Sequence, residues 1–227
     1  MNAILLTALA ASFLALVAFQ RRGARTQRDL RSLLETASEL RHLADHDALT
    51  GLPNRRRFEQ ELARHLAHVR RYGPEGAVLV LDLDGFKPVN DTFGHAAGDR
   101  LLARVACVLR ERLRATDVVA RIGGDEFAVL LPRVDRAGAA AVAQSLVETV
   151  RAHALTADAR TVTASVGTVA FADCADASLP AGVLRSADLA MYDAKACGGD
   201  GWALYAEPRV RAARAPEAAY LPAVALT

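Results

Sequence analysis

The chain has 227 residues, 52% hydrophobic and 24% charged, which leaves room for one domain and a short appendage and excludes two large domains. Lysine and arginine number 28 against 26 aspartates and glutamates, and this balance, a formal charge of +2, excludes a protein that mainly coats nucleic acid. The three cysteines lie far apart without paired spacing, so they predict neither a disulfide framework nor a zinc site.

An uncharged, mostly apolar run occupies residues 3–19 and is followed by an arginine cluster between residues 21 and 31. Its length is about the minimum for a helix that spans a bilayer. Because the positive charge follows the run, residues 1–20 are predicted to be a single-pass signal anchor in the inner (cytoplasmic) membrane, with the rest of the chain in the cytoplasm. A cleaved signal peptide and a buried helix are the alternatives, and the first lacks a basic segment before the run.

The flanks of the central region differ in pattern. Within residues 21–45, apolar side chains recur at alternating spacings of three and four, which predicts a helical, coiled-coil-like linker. Such a helix can pack on its own domain or pair two chains in a homodimer. Residues 207–227 are rich in alanine and proline, show no period, and are predicted to be a disordered tail. The folded domain is therefore expected over residues 46–206.

The central region alternates between helix and strand patterns after an opening capped helix that follows Asp47. Glycines separate two short strands and indicate a hairpin, and strands joined by a tight turn must be antiparallel. We therefore expect an α/β fold of the α+β type, with a mixed, largely antiparallel sheet flanked by helices and a ferredoxin-like core. The predicted elements are a strand at 77–82, a helix at 99–114, strands at 118–122 and 127–131, a helix at 137–153, a strand at 161–171, a helix at 181–196 and a strand at 202–205.

Carboxylates stand where two predicted strands begin or end. Asp82 and Asp84 close an apolar strand, and Asp125 and Glu126 lie in the hairpin turn. If these strand ends are neighbours, the carboxylates converge and repel one another unless a cation lies among them, and Mg²⁺ prefers such oxygen ligands together with phosphate oxygens. This pattern favours phosphoryl or nucleotidyl transfer. The alternative is that they are ordinary polar turn residues.

Residues 85–99 are rich in polar side chains and glycines. A segment that only connects two elements does not require this composition. Asn90 and Asp99 carry the amide and carboxylate groups that can read the edge of a guanine base. The only two lysines of the chain are Lys87 and Lys195, and their compact ammonium groups suit contact with phosphate. The segment therefore indicates a guanine nucleotide as ligand.

Four sequence motifs together resemble the GGDEF family of diguanylate cyclases. Residues 123–127 read Gly-Gly-Asp-Glu-Phe, residues 47–55 resemble the opening motif of the family, residues 82–99 match its central block, and residues 187–195 resemble its closing helix. The resemblance covers nearly all of residues 45–206. It implies a core fold similar to that of class III nucleotidyl cyclases and the polymerase palm.

The resemblance implies a metal-dependent catalytic centre. In the family, Mg²⁺ or Mn²⁺ would be held by Asp82, the backbone carbonyl of Leu83 and Asp125. Asp125 is also the position proposed as the base that activates the 3′-hydroxyl, and Glu126 is its essential neighbour.

The resemblance further implies GTP as the substrate. Guanine would be bound by Asn90 and Asp99, with His95 nearby. The groups that would face the triphosphate are the backbone around Phe86 and Lys87 and the side chain of Lys195. Each domain would hold one GTP, so condensation of two GTP into cyclic di-GMP and two pyrophosphates would need a homodimer.

Two further positions bear on regulation and activity. Arg114 and Asp117 have the spacing and register of the inhibitory RxxD site of the family, which binds the product cyclic di-GMP. Where the family usually has Gly-Arg-Asn, this chain has Gly198, Gly199 and Asp200, so a triphosphate contact is missing and a negative charge is added. The alternative to an active cyclase is therefore a weak or inactive signalling module that binds GTP or cyclic di-GMP.

Overall fold

The structure, a computed structural model, describes residues 31, 36, 43–153, 162–174 and 179–206. The helices are α1 (Arg55–Tyr72), α2 (Phe86–Phe93), α3 (His95–Arg112), α4 (Arg136–His153) and α5 (Pro180–Ala196). The strands are β1 (Ala77–Asp84), β2 (Val118–Arg121), β3 (Glu126–Leu131), β4 (Thr163–Ala170) and β5 (Gly201–Leu204).

The five strands form one sheet in the order β2-β3-β1-β4-β5. All neighbouring pairs are antiparallel except β4 and β5, which are parallel. This arrangement confirms the predicted mixed, largely antiparallel sheet and its hairpin. The central strand β1 is apolar over residues 77–81, as expected for a strand whose sheet is covered by helices on both faces. Its alternate side chains are buried on opposite sides of the sheet.

Two apolar layers hold the helices against the sheet. One layer contains Leu79 and Leu81 of β1 and packs against α2, α3 and α4. The other contains Val78 and Val80 and packs against α1 and α5. The side chains of Asp82 and Asp84 continue the second set along β1 and therefore lie on the side of the sheet that α5 covers.

The structure differs from the sequence prediction between β1 and α3. Residues 86–93 form a helix that the glycine-rich pattern did not predict, and α3 begins at His95, four residues before its predicted start. Gly85 adopts a left-handed conformation (φ 80°) that turns the chain directly from β1 into α2. The effect is that α2 starts immediately after the carboxylates of β1.

Several predictions concern parts of the chain outside the described residues. The predicted anchor at 1–20 and tail at 207–227 lie there, as does most of the linker at 21–45. Among the helices of the described residues, none combines the length and apolarity needed to cross a bilayer.

Candidate active site

The predicted convergence of carboxylates occurs at the end of β1. Asp82 lies directly opposite Glu126, the first residue of β3. Asp125 precedes Glu126 in the hairpin turn. Lys195, in the last turn of α5, places its Nζ 2.7 Å from Asp82 Oδ1. The Asp82 side chain is only 15% exposed. Asp125 and Glu126 therefore lie close to the Asp82–Lys195 ion pair at the partly buried end of β1.

The electrostatics of this cluster favour a further cation. Burial raises the pKa of Asp125, and the negative charge of Asp82 raises it further. Burial also raises the pKa of Glu126, with added contributions from Asp82, Asp188 and Asp125, and the nearby Arg55 guanidinium only partly offsets them. The carboxylates of Asp125 and Glu126 are thus less stable in their ionised forms than they would be in water, and a cation at the site would relieve this repulsion.

The donor set suits Mg²⁺ or Mn²⁺ when backbone and phosphate oxygens are included. Among the described residues, no three carboxylate, imidazole or thiol groups are arranged to hold a metal ion by themselves. The set implied by the resemblance needs only two such groups, Asp82 and Asp125, together with the carbonyl of Leu83. Mg²⁺ usually binds through one or two carboxylates and completes its coordination with substrate phosphates and water. The residues present therefore fit a magnesium–nucleotide site.

The predicted guanine-binding residues lie where α2 meets α3. Asn90 is on α2, and its side chain covers Gly98 so closely that a Cβ on Gly98 would collide with Asn90 Oδ1. Asp99 follows Gly98 and is exposed, as is His95 at the start of α3. A glycine at position 98 thus lets the amide of Asn90 and the segment carrying Asp99 approach each other.

The residues predicted to face the triphosphate lie at the start of α2 and at the end of α5, beside the carboxylates. Phe86 and Lys87 are the first residues of α2, where backbone N–H groups have no partner within the helix. Phe86 is buried and Lys87 is exposed. The structure brings Lys195 to Asp82 but gives Lys87 no hydrogen bond or ion pair within the described residues.

Sequence reasoning missed Arg121, which links the opening motif to the hairpin. Its Nη1 lies 3.0 and 3.1 Å from the two carboxylate oxygens of Asp47. Its Nη2 and Nε donate to the carbonyl of Gly124 at 2.7 and 3.1 Å. The turn that carries Asp125 is therefore held through Arg121 by a residue 74 positions earlier in the chain. The available signal in the sequence was the position of Arg121, which comes directly before Ile122 and the two glycines of the turn.

Asp47 provides a pH-dependent contribution to stability. Burial alone would raise its pKa, but hydrogen bonds from Thr50 and Arg121 outweigh burial and lower the pKa below the ordinary value of 3.8. Because the pKa in the folded chain is the lower one, the stabilisation is complete well above pH 3.8 and is lost as the pH falls through the folded pKa.

We expect Asp47→Asn to lower the free energy of unfolding at pH 7 by about 1.5–3 kcal/mol, the usual contribution of a hydrogen bond to a charged group. The difference between wild type and variant should shrink at pH 3, because below pH 3.8 the unfolded wild type binds a proton at Asp47 and the stabilisation by the ionised carboxylate falls. Urea unfolding at both pH values measures this. An equal difference at both would show that the Asp47 charge does not hold Arg121.

The turn that departs from the family pattern is anchored on β1 and α4. Gly199 and Asp200 both have positive φ, 73° and 50°. The backbone N–H of Asp200 donates to Asp84 Oδ2 at 2.9 Å, and Asp84 also accepts hydrogen bonds from two hydroxyls of β4. The Asp200 carboxylate pairs with Arg151 Nε at 2.9 Å. The negative charge that Asp200 was expected to add where phosphate binds is therefore paired with Arg151 in the structure.

Arg114 and Asp117 line a cavity of about 800 Å³ on another side of the domain. Asp117 Oδ2 accepts a hydrogen bond from the backbone N–H of Arg114 at 3.0 Å, which closes the turn between α3 and β2. Its lining also contains Asp45, His46 and Pro53, where the predicted linker enters the domain. The structure thus places the predicted product-binding pair in a cavity of the size that binds a small organic ligand.

Comparison with known proteins identifies the family. Residues 44–200 match the family described as "Diguanylate cyclase, GGDEF domain". The diguanylate cyclase TpbB of Pseudomonas aeruginosa is 43% identical over 166 residues, which cover 72% of this chain and 38% of TpbB. The bifunctional diguanylate cyclase/cyclic di-GMP phosphodiesterase MucR of the same organism is 37% identical over 203 residues, 89% of this chain and 29% of MucR. This chain therefore corresponds to well under half the length of either relative.

Solved structures lead to the same assignment. The coiled coil and GGDEF domain of DgcB from Caulobacter crescentus, in complex with c-di-GMP, matches with a TM-score of 0.74 and 28% identity over 82% of this chain and 98% of that one. The fold, the match of residues 44–200 to the family and the identity to TpbB all support the same family. The chain belongs to the GGDEF family of diguanylate cyclase domains.

Proposed function

We propose that the protein is a diguanylate cyclase that condenses two GTP into cyclic di-GMP and releases two pyrophosphates. The observation that carries this proposal is the meeting of Asp82, Asp125 and Glu126 beside Lys195, in a chain of this family. The alternative of a weak or inactive nucleotide-binding module is not favoured, because this carboxylate set is intact and TpbB is named a diguanylate cyclase.

We infer that Asp82, Asp125 and the carbonyl of Leu83 hold Mg²⁺ or Mn²⁺. When bound, the ion neutralises the triphosphate and lowers the pKa of the attacking 3′-hydroxyl. The hydrogen-bonded turn between β2 and β3 keeps Asp125 in place to accept the proton of this hydroxyl. Glu126 lies opposite Asp82 at the start of β3, which keeps a second carboxylate beside Asp125.

GTP binding is assigned to α2, to the first turns of α3 and to the end of α5. Asn90 and Asp99 offer the acceptors and donors that a guanine edge requires, and exposed His95 is beside them. The free N–H groups of Phe86 and Lys87 suit phosphate oxygens. Lys195 supplies an ammonium group near the same phosphates, and its present partner Asp82 supports this placement, since a bound cation would replace Lys195 at that carboxylate.

We infer a homodimer, because each domain offers one such site and the reaction joins two nucleotides. Two facing domains would let each 3′-hydroxyl attack the α-phosphate of the other GTP. The apolar stripe of the predicted linker at 21–45 supports pairing, and the run at 3–19 supports an anchor in the cytoplasmic membrane with the catalytic domain in the cytoplasm. No nucleic acid is expected as a partner.

We also infer product inhibition through the cavity that contains Arg114 and Asp117. The Arg114 guanidinium can bind phosphate or guanine, and Asp117 can accept guanine N–H groups. Two solved structures similar to this chain are complexes of DgcB with c-di-GMP, which supports product binding by such a domain.

The test is turnover by the full chain, purified in mild detergent and freed of bound nucleotide. With GTP and Mg²⁺ we expect cyclic di-GMP by chromatography and mass spectrometry, and none when EDTA removes the metal. Mn²⁺ should restore synthesis. If dimeric, product-free protein forms no cyclic di-GMP with either metal, the proposal is wrong.

A further inference from the structure

Two arginines at the end of α3 and just beyond it line the cavity, and their guanidinium groups have no partner among the described residues. Arg110 lies in the last turn of α3, and Arg114 follows the extended residue Leu113 just beyond the end of the helix, yet both line the same cavity. Both are exposed. Within the described residues, the guanidinium groups of Arg110 and Arg114 make no hydrogen bond or ion pair, and Arg114 bonds to Asp117 through its backbone N–H and carbonyl groups.

The other charged groups around this cavity are already paired. Arg57 contacts Glu61 at 2.6 Å, and Arg56 pairs with Asp45. Asp117 accepts the N–H of Arg114. No acidic group of the cavity is therefore committed to Arg110.

Two guanidinium groups that line one cavity repel each other, and the C-terminus of α3 offsets this repulsion only in part. An anion bridging both guanidinium groups would remove the repulsion. The pair thus meets the requirement for recognition of a ligand with more than one phosphate, since each guanidinium can bind one phosphate with two hydrogen bonds. Arg114 alone could bind only one of these phosphates in this way.

We propose that Arg110 is a second phosphate-binding residue of the product site, so that Arg110 and Arg114 together bind the phosphodiester groups of a cyclic dinucleotide. This inference rests on the proposed function, which supplies cyclic di-GMP as the ligand. The volume of about 800 Å³ accommodates such a ligand. Leu113 and Pro53 also line the cavity and add apolar surface for the bases, and Asp117 adds an acceptor for guanine.

The test is calorimetric titration of cyclic di-GMP into the full chain and three variants, Arg110→Ala, Arg114→Ala and Arg104→Ala. Arg104 is the matched control, because it is an exposed arginine of α3 that does not line the cavity. We expect Kd to rise at least about tenfold in Arg110→Ala and Arg114→Ala, the effect of losing a charge-assisted contact, and to stay unchanged in Arg104→Ala. Arg110→Lys should lie between the wild type and Arg110→Ala.

The outcomes separate this inference from the proposed function. If Arg114→Ala weakens binding and Arg110→Ala matches Arg104→Ala, the role of Arg110 is refuted while the product site stands. If the wild type does not bind cyclic di-GMP, both the product site and the role of Arg110 are refuted, whatever the cyclase assay gives. Thermal unfolding of each variant, expected within about 2 °C of the wild type for exposed positions, excludes misfolding as the cause.

Discussion

Glu126→Gln and Asp125→Asn are each expected to lower the initial rate of cyclic di-GMP synthesis by at least about 100-fold. Loss of a group that transfers a proton or orients the reacting atoms commonly costs this much or more. Both substitutions keep the size of the side chain and remove one charge from the cluster around Asp82. The rate is measured on the full chain with saturating GTP and Mg²⁺, and Asp193→Asn, an exposed position of α5, is the control.

Stability should change in the opposite direction to activity. Burial and neighbouring carboxylates raise the pKa values of Asp125 and Glu126, so their ionised forms oppose folding at neutral pH. Each amide variant should therefore unfold at the same temperature as the wild type or higher. A variant that loses activity and also unfolds at a lower temperature would show a structural role for the carboxylate.

Gly167→Ala is expected to destabilise the domain by about 3 kcal/mol, at the upper end of the usual cost of overpacking. Gly167 lies in β4 and faces the backbone of α5. A Cβ there would collide with the Ala187 carbonyl oxygen and the Met191 backbone nitrogen, and would lie 2.8 Å from Met191 Cα. Since these are backbone atoms of a helix, the strain cannot be relieved by rotating a side chain.

Scanning calorimetry tests this, with an expected fall in Tm of roughly 6–12 °C for a domain of this size. Gly124→Ala is the matched control for stability, because a Cβ at Gly124 meets nothing within 4 Å and its φ is not positive. A Tm for Gly167→Ala equal to that of Gly124→Ala would mean that α5 is not seated on β4 as described. Because Lys195 is on α5, such a result would also question the position of that ammonium group.

The sheet and the carboxylate cluster at the end of β1 could be predicted because local patterns determine them. The apolar run at 77–81 required a strand covered on both faces, and glycines between two apolar runs required a hairpin. Antiparallel pairing of that hairpin with the apolar strand then brings Asp82 opposite Glu126. Helix α2 could not be predicted in the same way. Its flanking Gly85 and Gly94 are typical of a loop, yet here they turn the chain into and out of a short helix.

The contacts that hold the site could not be predicted, because they join residues remote in sequence. Arg121 reaches Asp47 across 74 positions, and the N–H of Asp200 reaches Asp84 across 116. No local spacing encodes either pair. The sequence showed an added negative charge at Asp200, but only the three-dimensional turn shows that Arg151 balances it.

The most direct test of the cyclase proposal is the ratio of pyrophosphate to cyclic di-GMP formed by the full chain from GTP and Mg²⁺. Both products are quantified over time in one reaction, beside the double variant Asp125→Ala, Glu126→Ala. Condensation of two GTP predicts two pyrophosphates for each cyclic di-GMP and neither product from the double variant. Release of inorganic phosphate and GDP, or equal signals from wild type and double variant, would contradict a cyclase centred on these carboxylates.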